Sequence, residues 1–179
     1  MAIVVCFSGK IGSGKSSIIS ELSNALGWKQ VAFGHYVRQQ VARLGGDANS
    51  REVLQNFGQR FVEADPEAFC RGLLKSADYD WDENLLVDGV RHVKIFDMLQ
   101  TVLLPAKVRL IHLSLADELQ QIRVEGRNDS ADLDRARGHV VEAELGSSLP
   151  RRADLIVNSD REFEQIIYDC LAAIRGWTA

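Results

Sequence analysis

A three-layer α/β architecture is the fold class this sequence predicts, with a five-stranded parallel sheet between two layers of helices. Three observations carry that expectation. Short apolar runs recur at Ile3–Phe7, Gln30–Phe33, Leu85–Val87, Val108–Leu113 and Leu155–Val157, the second weaker than the rest. Helical patterns separate them, and strands alternating with helices predict parallel pairing covered on both faces. A glycine-rich turn follows the first run directly and leads into a helix. At 179 residues the chain is one domain, long enough to bury a full core.

Taken in order, Ala2-Ile3-Val4-Val5-Cys6-Phe7 reads as a buried strand, and Ser17-Ile18-Ile19-Ser20-Glu21-Leu22 opens the first helix. After the weaker Gln30–Phe33 run comes a long helical insertion, residues 34–80. Within it Asn49 lies three residues before Glu52, an imperfect capping box, and Asp65-Pro66-Glu67 offers a cap with proline at the first helical position. Leu85-Leu86-Val87 ends in Asp88. A helix is expected over Val93–Gln100, stopping before Pro105. Residues 124–138 depart from the core pattern: Gly126–Gly138 is polar, with alternating charge at Arg127, Asp129, Asp132, Asp134, Arg135 and Arg137. The last helix is expected from about Arg161 to Ile174, with apolar residues at Phe163, Ile166, Ile167, Cys170, Leu171 and Ile174.

The turn Gly9-Lys10-Ile11-Gly12-Ser13-Gly14-Lys15-Ser16 fits the Walker A pattern G-x-x-x-x-G-K-[ST] at every fixed position, in the strand–loop–helix setting the motif requires. The fold it predicts is therefore that of the P-loop NTPases. Glycines let the backbone aim successive N–H groups inward, a nest for anions at the positive end of a helix. Gly9 through Ser17 are the expected phosphate-binding residues, with Lys15 reaching the β- and γ-phosphates of ATP and the Ser16 hydroxyl ligating Mg²⁺. Asp88, at the end of an apolar strand, has the Walker B arrangement. It can partner the metal or accept a proton from the acceptor, and the sequence leaves both roles open.

Composition narrows the alternatives. The 46% hydrophobic and 26% charged fractions are ordinary for a globular protein, and a net charge of −4 points away from nucleic acid or membrane as principal partner. Cys6, Cys70 and Cys170 are odd in number and contain no C-x-x-C, which reads as buried free thiols in a reducing compartment. The four histidines show no metal-ligand spacing. The N-terminal segment lacks a basic n-region and its apolar run stops at Gly9, so the expectation is a cytoplasmic protein. Fifteen arginines against six lysines suit bidentate phosphate recognition, although base composition of a genome produces the same bias.

Asp88-Gly89-Val90-Arg91 resembles the D-G-x-x-R-type element after the third strand of adenylate kinase-like nucleoside monophosphate kinases, with the arginine one place earlier. Phe33-Gly34-His35-Tyr36-Val37-Arg38 resembles the acceptor segment of that superfamily, and the stretch through Ala42 and Gly45 is similar to that of cytidylate kinase-like members. The resemblance implies that Arg38 and Arg91 grip the acceptor's phosphate. Leu110–Leu115 followed by Asp117–Arg127 resembles the fourth strand and the arginine-bearing helix that leads into a lid. Arg123 and Arg127 would then be catalytic, with Arg135 and Arg137 on the substrate and 124–138 as the lid. Ala153–Ser159 is similar to the last strand and turn of dephospho-CoA kinase, where the loop borders adenine; Asn158 also suits the cap of the final helix. Two departures stand out: the zinc cysteines of some long-lid adenylate kinases are absent, and His92-Val93-Lys94 match no base-recognition pattern.

The expectation is a kinase that moves the γ-phosphoryl group of Mg·ATP to a phosphorylated small molecule, foremost a nucleoside or deoxynucleoside monophosphate. Dephospho-CoA or another metabolite is the alternative acceptor, and a nucleotide-dependent switch the alternative class. A GTPase switch would carry N-K-x-D, which the sequence lacks.

Overall fold

The structure, a computed structural model, describes residues 1–125 and 144–179. Five parallel strands form one sheet in the order β2-β3-β1-β4-β5. They are β1 (Ile3–Gly9), β2 (Lys29–Ala32), β3 (Leu85–Asp88), β4 (Lys107–Ser114) and β5 (Leu155–Asn158). All seven residues of β1 are buried, as a continuous apolar run covered on both faces must be. The register pairs Phe7 with both Asp88 and Ile111, so the C-terminal ends of β1, β3 and β4 lie side by side.

Alternation along the strands sorts the core into two layers. Val4, Cys6, Leu85, Val87 and Leu110 face one cluster, with Phe33, Tyr36, Phe69, Leu73, Phe96 and Leu99. Ile3, Val5, Phe7, Leu86, Ile111 and Val157 face the other, with Ile18, Ile19, Leu22, Ile166, Cys170 and Ile174. The first layer is built by α2 (Phe33–Arg43), α3 (Arg51–Ala64), α4 (Pro66–Ser76), α5 (Val93–Val102) and the short α7 (Leu149–Arg152); the second by α1 (Lys15–Leu26) and α8 (Phe163–Thr178). After β4 comes α6 (Asp117–Glu125), and a π-helical turn, Glu144–Ser148, precedes α7. The expected three-layer P-loop architecture is thus the observed one.

Local chemistry places the helix ends. Asp65 caps α4 as expected, its Oδ1 accepting from the Ala68 N–H at 2.8 Å. The cap of α3 is Ser50 rather than Asn49: Ser50 Oγ accepts from the Val53 N–H at 3.4 Å, while Asn49 donates its backbone N–H to Asp47 Oδ1 at 2.9 Å. Asn158 does not cap the final helix, which begins five residues later; its Oδ1 accepts from the Asp160 N–H at 3.0 Å and closes a turn at the end of β5. Phe33, grouped by the sequence with the second strand, is the first residue of α2. The insertion 34–80 is the α2–α4 region between β2 and β3. Residues 126–138 of the expected lid lie outside the described residues, while Val124 and Glu125 end α6.

Candidate functional site

Gly9, Gly12 and Gly14 adopt φ of 146°, 85° and 78°, a left-handed backbone that side-chain-bearing residues rarely tolerate. At Gly9 the constraint is double, since a Cβ there would sit 2.6 Å from the Leu113 carbonyl oxygen. Gly14 is the N-cap of α1 and supplies no side-chain cap, unlike Ser50 and Asp65, so the first amides of α1 keep their capacity for an anion. Lys15 Nζ donates to the carbonyl oxygens of Gly9 at 2.7 Å and Lys10 at 2.9 Å, and to Ser13 Oγ at 3.2 Å. Its ammonium is thereby folded over the loop, and Lys10 pairs with Asp117 at the start of α6.

The charge of this loop reaches the strand beneath it. His112 on β4 is buried, with Nδ1 2.9 Å from Ser8 Oγ. Burial first, then the cations of Lys15 and Lys10, pull its pKa down to about 4. His112 therefore stays neutral at pH 7 and adds no competing charge under the anion nest.

Ser16 Oγ donates to Asp88 Oδ2 at 3.0 Å, which joins the hydroxyl that closes the loop to the carboxylate that ends β3. The other carboxylate oxygen, Asp88 Oδ1, is buried without a hydrogen-bond partner among the described residues. A buried orphan acceptor beside a hydroxyl is an electrostatic cost that a divalent cation removes. The residues present therefore fit Mg²⁺ with Ser16 and Asp88 as its protein partners.

From this pair a cleft of about 720 Å³ extends over α2 and α3. Lys15, Ser16, Ser17 and Asp88 line it together with Arg38, Arg51 and Arg91. Arg38 Nε donates to the Ala48 carbonyl at 3.3 Å, which steadies the side chain at the cleft wall. The structure thus brings the sequence-selected Arg38 and Arg91 into one cavity with the phosphate loop. Arg123 is placed differently: its guanidinium donates to the carbonyl oxygens of Gly12 at 3.4 Å and Ser159 at 3.0 Å, tying the loop to the turn after β5. Arg127, Arg135 and Arg137 lie outside the described residues.

Sequence reasoning passed over several cleft residues. Arg51, Gln55 and Gln59 come from α3, and only an amphipathic count along that helix would have selected them. His92 lines the cleft and pairs with Glu144, 52 residues away in the chain, a partnership no local pattern reveals.

Fold and site together define a P-loop protein: the glycine-rich loop follows the central strand, Ser16 and Asp88 are hydrogen-bonded beside it, and both line a cleft with three arginines. More narrowly, the chain belongs to the AAA domain family, which matches residues 5–145. No curated relative matches it by sequence. Among solved structures, the shikimate kinase of Aquifex aeolicus vf5 superposes with a TM-score of 0.57 over 98% of each chain at 14% identity. A gluconokinase of Sinorhizobium meliloti 1021 gives 0.57 at 16% identity, over 98% of this chain and 92% of its own. At such identity the likeness is one of fold, and the fold is that of the P-loop kinases.

Proposed function

We propose that this protein is an ATP-dependent small-molecule kinase that transfers the γ-phosphoryl group to a phosphorylated acceptor, foremost a nucleoside or deoxynucleoside monophosphate. The observation that carries the reading is the continuity of one cleft from the Ser16–Asp88 pair to Arg38, Arg51 and Arg91. Phosphoryl transfer needs donor and acceptor held in line with their charge neutralised, and this cleft gathers the cations of Lys15, Arg38, Arg51 and Arg91 around one lining carboxylate, Asp88. The phosphate nest would hold the triphosphate of ATP, with Lys15 exchanging its carbonyl contacts for phosphate oxygens. Mg²⁺ held by Ser16 and Asp88 would neutralise charge on the β- and γ-phosphates. Arg38 and Arg91 would fix the acceptor's anionic end, their planar guanidiniums suiting bidentate contact. Arg123, by fastening the loop to the turn after β5, would hold the nest in shape for the transferred group.

The fold neighbours are named for shikimate and gluconate, and arginines receive a carboxylate as readily as a phosphate. A small carboxylated acceptor is thus the second reading.

The test is acceptor-dependent ADP release from Mg·ATP, with a panel of nucleoside and deoxynucleoside monophosphates, dephospho-CoA, shikimate and gluconate. A monophosphate is expected to give the highest rate. Lys15→Ala should lower transfer at least a hundredfold, a loss of about 3 kcal/mol of transition-state stabilisation. Arg91→Ala should chiefly raise the acceptor KM. ADP release that no acceptor stimulates would reject the kinase reading in favour of a nucleotide switch.

A further inference from the structure

Beside the arginines, the cleft is lined by a histidine that is paired with a carboxylate and has no part in the phosphate-binding reading above. His92 Nδ1 lies 3.0 Å from Glu144 Oε1, and Glu144 Oε2 accepts from the Val93 N–H at 2.7 Å. Val93 is the first residue of α5, so the carboxylate is held by a backbone donor at the positive end of a ten-residue helix. A carboxylate only accepts, so Nδ1 carries the hydrogen in this bond. The ring is buried and lines the cleft. With Nδ1 taken, the nitrogen left to meet a ligand is Nε2, which bonds to nothing among the described residues. In the neutral ring Nε2 is an acceptor.

A second acceptor atom lines the same cleft. Gln59 on α3 donates its Nε2 to Glu63 Oε1 at 2.7 Å, an arrangement that fixes the sense of the amide. Its Oε1 is buried without a partner among the described residues. Leaving such an acceptor unsatisfied is unfavourable, and a donor on a ligand would recover that cost.

We propose that His92, oriented by Glu144, is an acceptor-binding residue whose Nε2 receives a hydrogen bond from a hydroxyl or amino group on the non-phosphate part of the acceptor, with Gln59 Oε1 receiving a second. The inference rests on the phosphotransfer reading and sharpens its substrate class. The arginines select an anionic end, and His92 with Gln59 selects an organic part that bears hydrogen-bond donors. Glu144 is a positioning residue, since it acts through the ring.

The test uses the acceptor that the full-length wild type turns over best in the panel. His92→Asn places an amide where Nδ1 stood, able to keep the Glu144 bond, and leaves nothing at Nε2. Its acceptor KM is expected to rise about tenfold, equivalent to about 1.4 kcal/mol, with ATP KM and melting temperature as in the wild type. His92→Gln, which carries an amide out to the Nε2 position, should recover part of that loss. Gln59→Leu, on a different helix, should raise the acceptor KM independently of the packing around α5. A penalty confined to ribonucleotides assigns the donor to a sugar hydroxyl, and one seen with amino-bearing bases (cytosine, adenine or guanine) but not with uracil or thymine nucleotides assigns it to an amino group. An acceptor KM within twofold of wild type in both His92→Asn and Gln59→Leu overturns the inference while the kinase reading stands. A wild type that no acceptor stimulates removes both.

Discussion

His112 shows how one buried side chain makes stability depend on pH. Its folded pKa of about 4 lies below the ordinary value of 6.5, because burial and the cations of Lys15 and Lys10 disfavour its charged form. The unfolded chain therefore binds more protons than the native one between those values. The stabilisation is complete above about 6.5 and is lost as pH falls through about 4. Denaturant titrations from pH 7.5 to 4.5 should show the wild type losing stability more steeply than His112→Gln across that window, and equal slopes would contradict the assignment. Single residues also mark what the sequence made legible. Lys15 and Ser16 stood out through the fixed spacing of the glycine-rich motif and Asp88 through its place at the end of an apolar strand, and the structure brings Ser16 and Asp88 into hydrogen-bond contact. His92 was not readable, since the carboxylate that orients it comes from Glu144, 52 residues along the chain; Gln59 has a local partner, Glu63, but nothing in its spacing marks the helix face that lines the cleft. Arg123 was selected as a cation for phosphate, yet two backbone carbonyls hold it, a contact that sequence spacing does not encode.

Elements obeyed local rules where these were unambiguous. Apolar runs bounded by glycine, aspartate or serine became β1, β3, β4 and β5 nearly as expected. The second strand is displaced by one residue from the expected run, to Lys29–Ala32, with Lys29 and Gln30 exposed on an edge strand and Phe33 drawn into the core as the start of α2. At α3 the spacing to Glu52 pointed to Asn49, and the residue after it, Ser50, is the cap instead. Asp47 decides by engaging the Asn49 backbone and leaving the Ser50 side chain to the helix. At α4 the choice had no rival. Asp65→Ala removes the acceptor for the Ala68 N–H, and thermal or chemical unfolding should report a loss of about 1 kcal/mol. Asp65→Ser should restore most of it. A neutral outcome for alanine would mean that proline at the first helical position sets the end of α4 by itself.

For the whole molecule, ligand linkage gives the plainest test. A nucleotide that binds only the native state stabilises it by RT ln(1 + [L]/Kd), about 2.7 kcal/mol at a hundredfold excess over Kd. Mg·ATP should therefore raise the melting temperature measurably, and Asp88→Asn should reduce the part of that rise that depends on magnesium. An identical response in Asp88→Asn, or no response to Mg·ATP in the wild type, would remove Asp88 from the metal site. Among the described residues no helix is long and apolar enough to cross a membrane.

The division of the core by the sheet has an evolutionary consequence. Ile18, Ile19 and Leu22 anchor the first helix in one apolar cluster, whereas Phe33, Val37, Val62 and Phe69 line the arginine-bearing cleft and pack in the other. Substitutions that reshape this wall of the cleft meet neighbours on their own side of the strands, and the helix that follows the glycine-rich loop is buffered from them. Such insulation lets one surface drift while the seat of the loop stays fixed.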